Sequence, residues 1–310
     1  MQERGAALAP GILFDSDMGR NIDAALALAM LYGMGRGRVI GVGVSSSTLE
    51  AAAFCDALAR FYGAGGSLPI GLAEDGPKLD DSPMLRAPLS LRDEAGQPVF
   101  RTTVRSVIDT ADPPVLFRNA LLTQQEKQAI VVLAGPATNL ARTLALARDT
   151  VAAKVQLLVM AAGAFDGTTV DSRVRADVGA ARKIFAEWPS PVVVVGVETG
   201  NAVPYSDQIL LEVPNSPLTV AYRAYREKSG VATQAVLAAL YAANSKAEYW
   251  KLSRPGQVEV ASDGRTAFKE SSNGTHRHLI IDPAFKDQIL EALSKMSVAR
   301  PATGGRGQRN

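Results

Sequence analysis

The strongest constraint on the fold is a repeated alternation of short aliphatic runs with longer Ala- and Leu-rich stretches. The first run, Gly11 to Asp15, ends in an acidic residue and precedes a helical stretch from Asp23 to Met34. The same order recurs as far as Val197, which is typical of parallel strands joined by crossover helices. The sequence therefore predicts an α/β fold with a doubly wound, mostly parallel sheet flanked by helices, and a ligand crevice beyond the carboxyl ends of its strands. Further strands are predicted at 38–44, 129–133, 155–160 and 192–197, and further helices at 48–62, 137–147 and 178–188.

Two regions depart from this alternation. The segment from Glu74 to Pro114 contains Pro77, Pro83, Pro88, Pro98, Pro113 and Pro114 and is predicted to be a long irregular excursion on the surface. The last third predicts a C-terminal helical segment and a β-hairpin. Its helices are expected at 218–228, 233–243 and 284–296, and its hairpin strands at 257–260 and 266–269 around Ser262, Asp263 and Gly264. Residues 1–298 are read as a single domain, and the Gly/Arg-rich residues 299–310 as a disordered tail.

Composition excludes several classes of function. The 33 basic and 31 acidic side chains leave a formal net charge of +2, which argues against nucleic acid as a partner. Cys55 is the only cysteine, so an intrachain disulfide and a thiolate metal cluster are excluded, and packing is its expected role. No apolar run approaches the roughly 20 residues of a membrane span, and the start MQERGAALAP has no signal-type stretch. A cytoplasmic location is therefore the default expectation, with earlier removal of an export signal left open.

The stretch FDSDMGRNIDAALAL, from Phe14 to Leu28, is the best candidate for chemistry. Asp15, Asp17 and Asp23 surround a strand end, a Gly19 turn and a helix start, which is expected to direct negative charge into the crevice. Carboxylate oxygens suit a hard cation or the hydroxyl groups of a sugar. The alternative is that Asp23 only caps the helix while Asp15 and Asp17 accept hydrogen bonds from loop amides.

Here the sequence resembles the inosine-uridine-preferring nucleoside hydrolase family. DSDMGRNIDAALAL is similar to the family's opening motif DTDxGxDxDDALAL, and LAGPATNLA resembles its GPLTNLA turn. DVGAARKIFAEWPSPVVVVGVETG is similar to the DPEAA helix and the strand that follows it, and TQAVLAALYA to the helix after a metal-binding aspartate. The resemblance covers roughly Gly11 to Met296, with four motifs in the family's order.

The resemblance implies hydrolysis of the N-glycosidic bond of ribonucleosides with a calcium ion. In that family the ion holds the ribose 2′ and 3′ hydroxyl groups and the attacking water. An aspartate takes a proton from the water, and nearby carboxylates stabilise an oxocarbenium-like ribosyl group. The expected partner is a small ribonucleoside or related sugar, and the family also implies a possible homo-oligomer.

Residue by residue, the resemblance places three aspartates and one carbonyl in the family's site. Asp17 stands at a metal-ligand position and is the expected catalytic residue, and Asp15 and Asp23 are expected to bind substrate, Asp23 through the ribose. The backbone carbonyl of Ala134 stands at a further calcium-ligand position. Two ligand positions are lost, because Ala24 and Ala232 stand where the family has calcium-binding aspartates.

The ribose-binding motif is also altered. Asp171 and Arg173 align with the glutamate and asparagine of the family's Glu-aromatic-Asn motif, and Ser46 aligns with an asparagine after the second strand. A guanidinium at this position repels calcium. It either favours an anionic ligand or pairs internally with Asp17 or Asp23 and fills the metal position with its own cation. The second alternative is favoured, because clustered carboxylates without a counter-charge reduce stability.

Other candidates carry weaker signals. Glu198 and Asn201 follow a buried strand and are included among the substrate-binding residues, with a turn or cap role as the alternative. His276 and His278 alternate on a predicted strand, where a structural or solvent-facing role is favoured over a metal site. ILFDSDMG also resembles the strand end of haloacid-dehalogenase-type phosphatases, but its expected lysine and strand-end acidic pair have no match. Asp80 and Asp81 lie instead in the proline-rich excursion.

Two hypotheses of function follow. The first is a nucleoside hydrolase with altered substrate or metal use. The second is a non-catalytic protein that binds a nucleoside, ribose or an anion on the same fold. Ala24, Ala232 and Arg173 favour a degenerate calcium site that binds the ion weakly or not at all.

Overall fold

The computed structural model describes residues 9–33, 38–64, 66, 68–205, 216–225 and 233–297. The strands are β1 (Gly11–Ser16), β2 (Arg38–Val44), β3 (Ile70–Leu72), β4 (Ala129–Ala134), β5 (Val155–Ala161), β6 (Val192–Val195), β7 (Lys251–Leu252), β8 (Gly256–Val260), β9 (Thr266–Glu270) and β10 (His276–Ile280). The helices are α1 (Ile22–Gly33), α2 (Leu49–Phe61), α3 (Pro83–Ser90), α4 (Pro113–Leu122), α5 (Thr138–Lys154), α6 (Ser172–Ala176), α7 (Val178–Glu187), α8 (Val197–Ala202), α9 (Pro217–Tyr225), α10 (Gln234–Ala243) and α11 (Lys286–Ser297). Single 3₁₀ turns lie at Val107–Asp109 and Pro283–Phe285.

The strands form one sheet in the order β3-β2-β1-β4-β5-β6-β10-β8-β9, with β7 paired to β10. The strands from β3 to β6, and β10 beside β6, pair in parallel, whereas β8 and β9 form an antiparallel hairpin. The predicted doubly wound, mostly parallel sheet with a C-terminal hairpin and helix is therefore confirmed. The strand order reverses between β1 and β4. In doubly wound sheets such a reversal is the usual place for a ligand, so the candidate site is expected at the carboxyl ends of these two strands.

Each face of the sheet is covered by helices that bury its aliphatic residues. Helix α1 is buried continuously from Ile22 to Leu31, and its alanines allow close packing against the Ala-rich α10. A helix that is apolar on all sides belongs inside the protein. On the opposite face, α4, α5 and α7 cover a second core that includes Leu13, Val131 and Leu158. The carboxyl ends of β1 and β4 therefore lie between two well-packed layers.

Several element predictions need correction. The excursion from Glu74 to Pro114 is not wholly irregular, because it contains α3 and a 3₁₀ turn, and α4 begins at Pro113. Pro83 and Pro113 occupy the first helical turn, where the missing N–H of proline costs nothing. Helix α5 continues to Lys154 through a kink at Ala147. Strand β6 ends at Val195, two residues before its predicted end, since α8 begins at Val197.

Four further sequence predictions concern the tail, the end of one helix, a membrane span and Cys55. The predicted tail, 299–310, and the end of the helix predicted at 218–228 lie outside the described residues. Among the described residues, no helix is long and apolar enough to cross a bilayer. Cys55 is fully buried in α2, in agreement with a packing role.

Candidate functional site

The candidate site lies where β1 and β4 end side by side. Ser16 and Ala134 are register partners at the last positions of these two parallel strands. Beyond them, the chain passes so close to Gly135 that a Cβ atom there would lie 2.5 Å from the backbone nitrogen of Asp17. Gly19 then adopts a φ of +101°, a left-handed conformation that favours glycine, and returns the chain into α1. These two glycines fix the course of the loop that carries Asp17.

Asp23 lies in the first turn of α1 and is 4% exposed. Its Oδ2 accepts hydrogen bonds from Nη2 of Arg173 at 2.7 Å and from the backbone N–H of Ala235 at 3.3 Å. The carboxylate therefore sits at the amino ends of both α1 and α10, where helix dipoles favour negative charge. It joins α1, α6 and α10 at one point.

Arg173 is buried, with 6% of the residue exposed, and its guanidinium donates to three oxygens. Besides Asp23, the acceptors are Oε1 of Gln234, at 2.6 Å from Nη1, and the carbonyl of Ala134, at 3.2 Å from Nε. Burial acts to lower the pKa of Arg173, but the carboxylates of Asp23, Asp17 and Asp171 outweigh it and raise the pKa above its ordinary value. The group is a permanent buried cation.

Asp171 and Gln234 hold Arg173 in this position. Oδ1 of Asp171 caps α6 by accepting from the backbone N–H groups of Arg173 at 2.7 Å and Val174 at 3.1 Å. Nε2 of Gln234 donates to Oδ2 of Asp171 at 3.0 Å and to the carbonyl of Val195 at 2.9 Å. Both carboxylate oxygens of Asp171 therefore accept hydrogen bonds from other groups of the protein. Gln234 was not predicted as a site residue, because its only signal in the sequence is its place in the TQAVL motif.

Arg173 acts on Asp17 through its charge, although these two side chains form no ion pair. It is 4% exposed, and Nε of the half-exposed Arg20 lies 3.6 Å from its Oδ2. Burial raises the pKa of Asp17 to about 6, and the positive charge of Arg173 opposes the shift. Of the two aspartates considered as internal partners for Arg173, the structure pairs the arginine with Asp23.

The prediction that Asp15 faces into the crevice is wrong. Asp15 is fully buried, and its Oδ1 accepts from Nδ2 of Asn139 at 2.9 Å. A Cβ atom at Gly43 would lie 2.4 Å from both this oxygen and Cζ of Phe117, so the side chain points into the layer of α4 and α5. Alternation along a strand places Asp15 on the same face as Leu13. Burial raises the pKa of Asp15 to about 7, against the opposing effect of its Asn139 hydrogen bond.

Six buried polar atoms that have no hydrogen-bond partner in the described part of the chain lie around this edge of the sheet, and Oη of Tyr32 in α1 is a further such atom outside this group. Most of the six are acceptor oxygens, and the remainder are serine hydroxyl groups. Such groups in a native protein call for a partner such as water or a ligand. The six atoms are Oδ2 of Asp15, Oγ of Ser16, Oδ1 of Asp17, Oδ1 of Asp23, Oγ of Ser46 and Oδ1 of Asn139.

The start of the excursion covers the Gly19 turn. Oγ of Ser82 donates to the carbonyl of Gly19 at 2.7 Å, and Leu79 and Leu85 border the space beside this glycine. The backbone N–H of Leu79 donates to Oγ1 of Thr48 at 2.8 Å, so Thr48 does not cap α2 with its side chain. A surface cavity of about 250 Å³ lies between this segment and the start of α2.

Two of the remaining predicted residues lie apart from this cluster. Glu198 and Asn201 are exposed on α8, and Glu198 accepts from the backbone N–H of Phe165, in line with the turn alternative. Ala24 is fully buried in α1 next to Asp23. Ala232 lies outside the described residues.

The two histidines have structural contacts. Nδ1 of the buried His276 accepts from the backbone N–H of Val258 at 3.0 Å, and burial lowers its pKa to about 4. The His278 ring packs against Phe165 and Phe268, with centroid separations of 5.2 and 4.8 Å. These contacts agree with the structural role favoured for both residues.

The acidic pair considered for phosphatase chemistry is also remote from a strand end. Asp80 and Asp81 are exposed in the loop before α3, and Asp81 pairs with Arg86. Neither has the strand-end position that a magnesium-dependent phosphatase requires.

The residues present do not fit a divalent metal. Two oxygens at the expected position, Oδ2 of Asp23 and the carbonyl of Ala134, accept hydrogen bonds from Arg173 instead. The neighbouring position, Ala24, offers a methyl group. Within the described ranges, no group of three or more His, Cys, Asp or Glu side chains is arranged to hold a metal ion. The arrangement is a buried ion-pair network with spare acceptor oxygens.

Three solved structures to which this chain is similar are described as nucleoside hydrolases. An inosine-uridine preferring nucleoside hydrolase from Bacillus anthracis is 19% identical with a TM-score of 0.71, and the similarity covers 93% of this chain and 99% of the other. A plant nucleoside hydrolase is 19% identical with a TM-score of 0.73, covering 94% and 100% of the two chains. A purine-preferring ribonucleoside hydrolase from Gardnerella vaginalis is 15% identical with a TM-score of 0.71, covering 93% and 99%. These similarities establish a nucleoside-hydrolase fold.

The sequence also matches the family described as inosine-uridine preferring nucleoside hydrolase, over residues 12–289. The chain belongs to this family. No curated protein sequence matches it significantly.

Proposed function

We propose that this protein binds a small nucleoside-type ligand at the ends of β1 and β4, without the calcium-dependent hydrolysis implied by its family. The observation that carries the proposal is the contact of the Arg173 guanidinium with both Asp23 and the carbonyl of Ala134. A cation supplied by the chain itself leaves the acidic site without a place for calcium. Family membership supports the ligand class.

The chemistry of the spare oxygens favours a ligand with hydrogen-bond donors. Oδ1 of Asp17, Oδ1 of Asp23 and Oγ of Ser46 have no partner among the described residues. Ribose hydroxyl groups can donate to such oxygens, and hydrogen bonds to a carboxylate are stronger than neutral ones. An anionic ligand is disfavoured, because the Arg173 N–H groups already donate to three oxygens and the surrounding side chains are carboxylates.

The proposed role of Asp17 is to accept a hydroxyl hydrogen bond from the ligand. Asp171 contributes indirectly, because its oxygens cap α6 and hold Gln234. Glu198 and Asn201 are proposed only as residues at the outer edge of the crevice. No hydrolytic step is assigned to calcium.

The test combines binding and turnover. Isothermal titration with inosine and 2′-deoxyinosine, in EDTA, is expected to show saturable binding that weakens about tenfold when the 2′ hydroxyl is absent. Asp17→Asn is expected to weaken inosine binding, whereas Asp263→Asn, on the exposed hairpin turn, should leave it unchanged.

Hydrolysis of p-nitrophenyl riboside is measured in parallel with and without calcium. The proposal expects no calcium-dependent turnover. Saturable micromolar calcium binding accompanied by turnover would overturn the metal-free part of the proposal. Absence of binding by both nucleosides would overturn the proposed ligand class.

A further inference from the structure

We infer that Arg173 is the resident cation of the site and that its guanidinium, more than the lost carboxylates, keeps divalent ions out. Its three acceptors are Oδ2 of Asp23, the carbonyl of Ala134 and Oε1 of Gln234. A carboxylate, a backbone carbonyl and a side-chain amide oxygen are the ligand types that a hard cation prefers. The guanidinium therefore uses oxygens suited to a metal.

The charges around the guanidinium support the same assignment. Asp17, Asp23 and Asp171 all act on Arg173, and each is at least as buried as the arginine. Removing one partner of a buried ion pair leaves the other charge without compensation. Without the guanidinium, the carboxylates would require protons or another cation.

Gln234 acts as a positioning residue for this internal cation. Its Nε2 donates to Asp171 and to the carbonyl of Val195, and these two bonds turn its Oε1 towards Arg173. Asp171 in turn fixes the backbone of Arg173 by capping α6. Arg173 is therefore fixed at its backbone by Asp171 and at its guanidinium by Gln234.

Two explanations for the exclusion of calcium make different predictions: occupation of the site by the guanidinium, and the loss of the carboxylates at positions 24 and 232. If occupation of the site by the guanidinium excludes calcium, replacing Arg173 should allow a divalent ion to bind while Ala24 and Ala232 remain alanine. Asp17 and Asp23 would still offer a spare oxygen each, beside the carbonyl of Ala134. If the missing carboxylates are decisive, only restoration of aspartate at 24 and 232 could create a site.

The test is titration of the full chain carrying Arg173→Met with calcium and with terbium. Methionine keeps much of the length of the arginine side chain and removes its positive charge. Saturable calcium binding at least about tenfold tighter than in the unmodified protein is expected, with an accompanying rise in the thermal midpoint. Arg173→Lys retains a cation and should bind no calcium. Gln234→Ala should gain weaker calcium binding than Arg173→Met, an effect that a purely structural role would not produce.

Arg60→Met is the matched control, because Arg60 pairs with the carboxylate of Asp56 at 2.9 Å away from the site. It should gain no calcium binding. A folded Arg173→Met protein that binds no calcium until aspartates are introduced at 24 and 232 would overturn the inference. If Arg173→Met does not fold, the unmodified protein is tested instead by thermal denaturation in calcium and in EDTA. A higher thermal midpoint in calcium would overturn the inference.

The inference does not depend on which ligand the site binds. Failure of inosine to bind would remove the proposed ligand class and leave the resident cation untouched. Failure of Arg173→Met to gain a metal would remove the inference and leave nucleoside binding in place.

Discussion

Nη2 of Arg173 lies 2.7 Å from Oδ2 of Asp23, and both side chains are almost fully buried. Nε of Arg265 lies at the same 2.7 Å from Oδ2 of Asp263, but about half of each of these side chains is exposed. The two pairs have matched distances in different dielectric surroundings. Their energetic roles should therefore differ.

Asp23→Asn is expected to reduce the free energy of unfolding by about 3 to 5 kcal/mol, because it leaves Arg173 buried with its closest counter-charge removed. Asp263→Asn should change it little, since an exposed pair is screened by water. Urea denaturation of both variants measures the contrast. Equal effects would show that burial does not control the contribution of the Arg173 pair.

The raised pKa of Asp15 predicts a specific dependence of stability on pH. Burial raises this pKa to about 7, so the folded protein holds the proton more tightly than the unfolded chain, in which the carboxyl group titrates near its ordinary value of 3.8. The contribution of Asp15 is therefore fully present below about pH 4 and is lost as pH rises through about 7. The full change is up to about 4 kcal/mol.

Urea denaturation of the unmodified protein and Asp15→Asn between pH 4 and 8 measures this change by difference. The variant should become more stable relative to the unmodified protein as pH increases, because asparagine has no proton to lose. Asp263→Asn serves as the control, since its carboxyl group is on the surface. A difference between Asp15→Asn and the unmodified protein that is independent of pH would contradict the assignment.

Much of the fold could be predicted because its signals are local. Aliphatic runs, Ala-rich stretches and the turn at Ser262 to Gly264 each specify an element from neighbouring residues. Helix α3 was missed because its prolines indicate a loop, although Pro83 occupies the first turn and Pro88 is tolerated in a helix of eight residues.

The site could be predicted only in part because its contacts join distant segments. The sequence placed Arg173 near acidic residues and considered an internal pair, but it could not choose between Asp17 and Asp23. Gln234 was missed, because its hydrogen bonds to Asp171 and Arg173 connect residues more than 60 positions apart. The direction of Asp15 was readable in principle, since it alternates in phase with the core residue Leu13.

The carboxylate of Asp56, in α2, anchors the excursion through hydrogen bonds to Thr102 and Thr103. Its Oδ2 accepts from the backbone N–H of Thr103 at 2.6 Å, the hydroxyl of Thr102 at 3.0 Å and Nε of Arg60 at 2.9 Å. Burial acts against these hydrogen bonds, but together they lower the pKa of Asp56. Its contribution is present above the ordinary carboxyl pKa and is lost as pH falls.

Asp56→Ala should therefore release the segment around Thr103 and speed its cleavage by trypsin at Arg101 or Arg105, with a smaller effect on global unfolding. Asp93→Ala is the control, because Asp93 accepts hydrogen bonds only within its own exposed turn. Cleavage mapped by mass spectrometry measures the effect. Unchanged cleavage at both arginines in Asp56→Ala would show that the excursion is held by other contacts.

Gly135 predicts a steric limit at the loop that carries Asp17. An added Cβ would lie 2.5 Å from the nitrogen of Asp17 and 2.7 Å from the carbonyl carbon of Ser16, both backbone atoms that cannot move without displacing β1. Gly135→Ala is expected to lower the free energy of unfolding by at least about 2 kcal/mol and to weaken inosine binding, because the shift moves Asp17.

Gly179→Ala is the matched control. A Cβ at this position in α7 meets only Oδ1 of Asp177, at an ordinary 3.6 Å. Alanine should stabilise the helix by up to about 1 kcal/mol, because it restricts the unfolded chain and favours helix. Denaturation and inosine titration of both variants separate a local clash from a general effect of replacing glycine. If Gly135→Ala matches Gly179→Ala in both measurements, the close approach to Asp17 does not constrain the site.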